Sequence, residues 1–148
     1  MKLTKTHLGA GTLALGAVLA FAVPAGAAVN LQSESNGSSS IKIAKTANLK
    51  AKGAATVVTV KVGCPVGARY QVGVEVGQVV NGNTTAHGTA YLYNQVCTGA
   101  VENVKLHVLA DGAPFKPGVA YAVGSADISG PAGYWNLNTG REIVNVNN

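Results

Sequence analysis

Apolar and polar residues alternate along much of the chain, with every second residue apolar over several stretches. The clearest stretches are 56–64, 70–76 and 103–108. Their apolar faces contain Val58, Val60, Val62 and Cys64, then Tyr70, Val72, Val74 and Val76, then Val104, Leu106 and Val108. A period of two is typical of strands that bury one face, and no stretch shows a helical period. The pattern therefore predicts an all-β chain.

Residues that favour turns separate these stretches. The strongest hairpin signal is Asn81-Gly82, which lies between two apolar stretches. The pattern predicts six or seven strands, over 40–50, 55–64, 69–80, 85–94, 101–110 and 119–128, with 141–146 as the seventh. Short strands with turns between them are typical of a sandwich or a small barrel. We predict an immunoglobulin-like antiparallel β-sandwich with one disulfide.

The first 27 residues are typical of a secretory signal peptide. Lys2 and Lys5 precede an apolar run over 8–23, which is followed by Pro24 and then Ala25-Gly26-Ala27. A membrane anchor is the alternative, but sixteen residues are short for a bilayer core that needs about 20. We predict cleavage near the end of this segment.

The rest of the chain divides into a short arm and one domain. The stretch 28–40 is rich in Ser and Asn and is expected to be a flexible arm, and 41–148 is expected to be a single domain. We predict a secreted protein, at or near the cell surface, with no transmembrane anchor after cleavage. Lys2 and Lys5 are two of eleven cations, so nine remain against six acids. A net charge of +3 does not predict nucleic-acid binding.

Five of the nine remaining cations fall in one stretch without an acid. They are Lys42, Lys45, Lys50, Lys52 and Lys61. One interpretation is a basic edge that meets anionic wall polymers or phospholipid headgroups. The other, which we favour, is that lysines on an edge strand prevent sheet-to-sheet aggregation. No aromatic residues interleave with these lysines, so single-stranded nucleic acid is not a predicted partner.

The two cysteines are Cys64 and Cys97. An even count in an exported chain predicts one disulfide, and two free thiols are the alternative. The bond would close a loop that stabilises the fold by about 3–4 kcal/mol on the chain-entropy model. No spacing typical of a zinc site is present, so no metal is predicted.

Several stretches resemble a group of small exported actinobacterial domains of unknown function. They are Val60-Lys61-Val62-Gly63-Cys64-Pro65, the Val-rich strand that ends at Gln78, Cys97-Thr98-Gly99, and Pro114-Phe115-Lys116-Pro117-Gly118-Val119-Ala120. The resemblance covers about residues 55–128. It implies an immunoglobulin-like sandwich and no known activity. Residues 129–148 have no counterpart in it.

The residues needed for catalysis are sparse. After the signal peptide only His87 and His107 can serve as a general base, and no G-x-S-x-G motif surrounds a serine. Glu75 and Glu102 can sit on neighbouring strands as a carboxylate pair, but both fall on predicted outer faces. No phosphate-binding loop or metal-ligand cluster is present. We therefore predict that the protein is not an enzyme and has no cofactor.

The best candidate contact surface is aromatic. It comprises Tyr134, Trp135, Asn136 and Arg141, because exposed aromatic rings beside amides stack on a sugar ring and bond its hydroxyls. The alternative is that Trp135 closes one end of the core. Tyr91 and Tyr93 also share one strand face.

The function predicted from these features is a non-catalytic extracellular binding or interaction module. Its expected partner is a cell-wall polymer, a glycan or another secreted protein. One alternative is a structural surface protein that self-assembles through strand edges. Another is an inhibitor of a secreted hydrolase, which would present the loop 111–118, pinned by Pro114 and Pro117.

Overall fold

The computed structural model describes residues 38–148, which form eight strands. These are β1 (Ser40–Lys50), β2 (Ala55–Gly63), β3 (Arg69–Asn81), β4 (Thr84–Val96), β5 (Glu102–Leu109), β6 (Asp111–Gly112), β7 (Gly118–Gly130) and β8 (Gly133–Asn147). A single 3-10 turn over Ala51–Gly53 joins β1 to β2. The predicted all-β class is confirmed. The predicted signal peptide, and the predicted arm up to residue 37, lie outside the described residues.

The strands form one sheet in the order β5-β2-β1-β8-β7-β3-β4-β6. Neighbours are antiparallel except β1 and β8, which pair in parallel over only three residues of each. The pairing of β1 with β2 is irregular between Ile43 and Ala47, and β1 pairs with β8 along its other edge just after this point. The sheet is barrel-like, since the Leu109 carbonyl at the end of β5 lies against Gly88 of β4. The predicted immunoglobulin-like sandwich is therefore not confirmed as such.

The inner face of the sheet holds the core. The apolar alternation of β2, β3 and β5 is confirmed, because all eleven predicted core-face residues are buried. The first half of β7 differs, since its inner residues are small: Ala120 and Ala122 are buried, whereas Val119 and Tyr121 are exposed. The large inner side chains of neighbouring strands fill the interior there, and little room is left beside them.

β8 begins earlier than the predicted strand over 141–146. It forms a hairpin with β7, closed by the pair Gly130 and Gly133, and lies between β7 and β1 in the sheet. Its inner face changes phase along the strand. Trp135 and Leu137 pack against the core near its start, and Val144 and Val146 are buried near its end. Gly140, with φ of +68°, lies at the irregularity between these two halves.

A disulfide and one carboxylate hold the end of the domain where β3, β4 and β5 meet. The predicted bond between Cys64 and Cys97 is confirmed, and it joins the chain just after β2 to the chain just after β4. Glu102 at the start of β5 accepts hydrogen bonds from the Thr98 backbone N–H at 3.0 Å and hydroxyl at 2.9 Å. Glu102 also accepts one from the Tyr70 hydroxyl at 3.0 Å.

These contacts change two pKa values in opposite directions. Burial, and then the hydrogen bond to Glu102, raise the pKa of Tyr70 to about 12. The two hydrogen bonds from Thr98 lower the pKa of Glu102 below its ordinary value of 4.5. The ionised form of Glu102 therefore stabilises the folded state above the ordinary pKa, and this contribution disappears as the pH falls through the lowered one.

We expect Glu102→Gln to destabilise the protein at pH 7 and to do so less as the pH falls below about 4.5. Glutamine keeps the shape of the side chain, but a neutral amide replaces the charged carboxylate that accepts two hydrogen bonds from Thr98. Urea unfolding of both proteins at a series of pH values from 7 to 3 measures the difference. Other acids titrate equally in both proteins and cancel. A difference in the free energy of unfolding that stays constant over this range would contradict the prediction.

Candidate binding surface

The solvent side of β4, β3, β7 and β8, here called the outer face, carries two kinds of surface. Its polar end is built around Asp127, which is paired with Gln71 on β3 and with Asn136 on β8. Its apolar end is built around Tyr121, which is paired with Gly77 on β3 and with Ile143 on β8. The two ends are separate because they lie at different levels along the same strands.

The Asp127 carboxylate is held by three donors on two flanking strands. Gln71 donates to Oδ2 at 2.7 Å, and the Tyr134 hydroxyl and the Asn136 amide donate to Oδ1 at 2.7 and 2.5 Å. These bonds, led by that from Gln71, lower the pKa of Asp127. The hydrogen bond to Asp127 raises the pKa of Tyr134. The result is an ionised, oriented acceptor on an exposed surface.

An irregularity in β4 widens this end of the face. Tyr70 pairs with Gln95 and Val72 with Leu92, so Tyr93 and Asn94 both lie opposite the single residue between. Asn94 has a φ of +60°, a left-handed conformation that asparagine tolerates better than most residues. An open hollow of about 230 Å³ lies here. It is lined by Arg69, Tyr70, Gln71, Asn94, Asp127, Ser129 and Tyr134.

Two tyrosines extend the polar end across β4. Tyr91 and Tyr93 are each 59% exposed, with ring centroids 6.0 Å apart and planes 20° apart. Tyr91 lies across Gly73 of β3, where an added Cβ would meet the ring at 2.6 Å. Glycine at position 73 is therefore what lets the ring lie on the sheet. The predicted common face of the two tyrosines is confirmed.

The structure divides the four residues of the predicted contact surface. Tyr134 and Asn136 contact Asp127 on the outer face. Trp135 lies on the inner side, half-buried and packed against the core. Arg141 is opposite Val123, six residues along β7 from the partner of Tyr134, which is roughly 20 Å. Its guanidinium lies instead over the ring of Tyr121, 5.8 Å from the centroid.

The lysines of the predicted basic edge, here called the basic face, lie on β1, β2 and the turn between them. Neither strand is at an end of the strand order, although β8 pairs with β1 only at 46–48. β1 lies between β2 and β8, and β2 lies between β1 and β5. Lys42 and Lys61 are directly opposite each other, and both are exposed. Lys45 makes an ion pair with Glu142 at 2.6 Å. The remaining two, Lys50 and Lys52, line a hollow of about 350 Å³ next to Lys116.

The residues considered for catalysis do not converge. His87 on β4 is 3.3 Å from Asp111, and both side chains are exposed. His107 is exposed on β5. Glu75 and Glu102 lie on β3 and β5, which are not neighbours in the sheet, so they do not sit on neighbouring strands as a carboxylate pair.

Two further observations concern the described residues as a whole. Among residues 38–148, no three His, Cys, Asp or Glu side chains are grouped so that they can hold a metal ion. Within the same range, no helix has the length and apolar character needed to span a membrane.

The loop 111–118, which was considered as the contact loop of a hydrolase inhibitor, is held against the domain by a buried side chain and by hydrogen bonds. Its one aromatic residue, Phe115, is buried at 2% exposure and so faces inward. The Gln78 side chain accepts from the Lys116 N–H at 2.8 Å and donates to the Lys116 carbonyl, also at 2.8 Å. The Phe115 N–H donates to the Gly53 carbonyl at 2.9 Å.

No protein-family model matches this chain, and no curated protein matches it. Its resemblance to small exported actinobacterial domains therefore stays a prediction. The function has to be inferred from the geometry of the binding surface.

Sequence reasoning missed Arg69, Gln71, Asn94 and Asp127. The alternation of β3 could have identified Gln71, because it shares its strand face with residues predicted to point outward. The sequence does not reveal that β3 pairs with β7, since three other strands separate them along the chain. That pairing alone brings Asp127 beside Gln71.

Proposed function

We propose that the protein is a secreted, non-catalytic module that binds a polysaccharide chain. The contact surface is the polar end of the outer face, from Tyr91 and Tyr93 across Gln71 and Asp127 to Tyr134. The observation that carries the proposal is the Asp127 carboxylate with its three donors, placed on an open surface beside exposed aromatic rings.

The hydrogen-bonding groups suit a ligand rich in hydroxyls. Asp127 accepts hydrogen bonds, the Arg69 guanidinium donates them, and the side-chain amides of Gln71 and Asn94 do both. A sugar hydroxyl is both a donor and an acceptor. Because three protein donors already orient the carboxylate, little conformational freedom is lost when it accepts another bond.

The tyrosine pair supplies the apolar part of the contact. The C–H faces of a pyranose ring are apolar and pack on the face of an aromatic ring. Tyr91 lies on the sheet over Gly73, Tyr93 stacks on Tyr91, and both remain 59% exposed. They therefore form a platform whose shape exists before the ligand binds.

Shape and charge favour a neutral chain over a small or highly charged ligand. The hollow of about 230 Å³ is smaller than the roughly 300–1,000 Å³ of pockets that enclose small molecules. It is also open, so a chain can lie across it. Among residues 38–148, its charged lining groups are Arg69 and Asp127, which have opposite signs.

We expect Asp127→Asn and Tyr93→Ala each to weaken polysaccharide binding about tenfold or more. The purified oxidised protein is tested against isolated cell walls, insoluble polysaccharides and soluble oligosaccharides. Asp127→Asn keeps the size of the side chain, so a loss of binding reports the carboxylate. Lys61→Ala, on the basic face, is the matched control and should bind as the unmodified protein does, also in high salt.

Other outcomes would redirect the assignment. Retention that is lost in high salt and in Lys61→Ala, but unchanged in Asp127→Asn, would move the contact to the basic face and its ligand to an anionic polymer. No retention on any glycan would remove carbohydrate as the ligand.

A further inference from the structure

The apolar end of the outer face leaves large side chains in solvent. Val79 is 67% exposed, Val119 56%, Ile143 54% and Tyr121 48%. These residues lie on the adjacent strands β3, β7 and β8. Exposed apolar side chains that cluster on one surface mark an interaction site more often than scattered ones do.

Two adjacent rows cross these three strands. In the first row, Gly77 on β3 pairs with Tyr121 on β7, which pairs with Ile143 on β8. The second row has Glu75 on β3, Val123 on β7 and Arg141 on β8. In each row, the residue on β7 lies between one on β3 and one on β8. The two flanking residues are complementary in size in the first row and in charge in the second.

The first row presents a hole on one side and a projecting side chain on the other. Apart from its chain neighbours, no atom of the described residues lies within 4 Å of the position that a Cβ would take at Gly77. An open hollow of about 270 Å³ stands there, with Tyr121 and Thr85 among its lining residues. Ile143, one strand beyond Tyr121, projects into solvent.

The second row carries opposite charges on either side of an apolar residue. Glu75 and Arg141 are both exposed, and Val123 between them is half-buried. Glu75 has no charged neighbour in its row on β4, where it pairs with Thr89.

We propose that this end of the outer face binds a second copy of the same chain. A two-fold axis that runs along β7 places β3 of one copy over β8 of the other. Ile143 then enters the hollow over Gly77 of the partner subunit, and Glu75 faces Arg141 of the partner subunit. The axis makes each of these contacts twice, as an isologous interface requires.

The geometry is that of two sheets packed face to face. Sheets in such a packing lie about 10 Å apart with strands within about 30° of parallel. At this angle each row still faces the same row of the second copy. The reason is that its residues on β3 and β8 lie only one strand spacing, about 4.8 Å, from the axis.

The expected dimer is weak. A patch of a few residue rows on three strands buries less surface than the roughly 800 Å² per partner of a standard interface. We therefore expect a dissociation constant between about 1 µM and 1 mM. This surface does not include Asp127 or the tyrosine pair, so the variants that test the dimer leave the residues of the polysaccharide site unchanged.

Sedimentation velocity of the oxidised protein, from about 5 µM to 1 mM, tests the proposal. The weight-average sedimentation coefficient should rise toward that of a dimer. Glu75→Arg and Arg141→Glu should each weaken association about tenfold or more, because like charges then face each other. The double variant, Glu75→Arg with Arg141→Glu, exchanges the two charges and should recover association.

A second variant tests the hole. Gly77→Leu fills the hollow and should abolish association, whereas Lys105→Glu, which lies on β5, should leave it unchanged. Circular dichroism and thermal unfolding establish that each variant is folded. A protein that stays monomeric over the whole range, or a double variant that does not recover, would overturn the proposal.

Discussion

Replacing Phe115 with alanine is expected to lower the free energy of unfolding by about 3–5 kcal/mol. Phe115 is the largest fully buried side chain among the described residues, and it comes from a loop instead of a strand. Its removal leaves a cavity at the end of the core. The backbone around it has little freedom to fill the space, because the Phe115 carbonyl lies against Gly53 and Lys116 is bonded to Gln78.

Urea unfolding under oxidising conditions measures this loss. Phe115→Leu keeps most of the apolar volume and should be less destabilising. Val119→Ala removes an exposed apolar group directly after the loop, and should change stability by less than about 0.5 kcal/mol. A loss in Phe115→Ala no larger than that in Val119→Ala would show that the aromatic ring is not part of the core.

Removing the disulfide is expected to lower the free energy of unfolding by about 3–4 kcal/mol. Cys64 and Cys97 are 33 residues apart in sequence, and the bond restricts the unfolded chain over that distance. In the folded protein it joins the ends of β2 and β4, which are not neighbours in the sheet. We therefore expect the loss to be accompanied by faster hydrogen exchange around Thr98 and at the start of β5.

The double variant Cys64→Ala with Cys97→Ala isolates the effect of the cross-link. Both cysteines are buried, so serine would add the cost of burying two hydroxyl groups. The double serine variant should accordingly be less stable than the double alanine variant. Equal stability of the oxidised protein and the double alanine variant would contradict the expectation.

Most strands could be predicted because each has one apolar face and ends at a turn. The hairpin signal at Asn81-Gly82 is an example, because β3 ends at Asn81 and the two-residue loop Gly82-Asn83 joins it to β4. β8 was mostly missed for an identifiable reason. The phase change near Gly140 breaks its alternation into two short halves, and the first half contains two asparagines, which are poor strand formers.

β7 shows a different limit of sequence patterns. Large and small apolar residues alternate over 119–123, and the interior has room only for the small ones. Volume inside a curled sheet depends on every strand around it, so one strand's pattern does not reveal which face is inside. As a result Tyr121 and Val119 point outward, where they form the proposed dimer surface.

The sequence by itself determined the all-β class, the disulfide and the inner faces of β2, β3 and β5. These features depend on local periodicity and on a single cysteine pair. Only the tertiary structure decided that the strands form one curled sheet and that Gln71, Asp127 and Asn136 lie in one row. The physical reason is that β3 pairs with β7 across a long sequence distance, 56 residues between Gln71 and Asp127. Pairing of that kind follows from packing of the whole core and not from any local pattern.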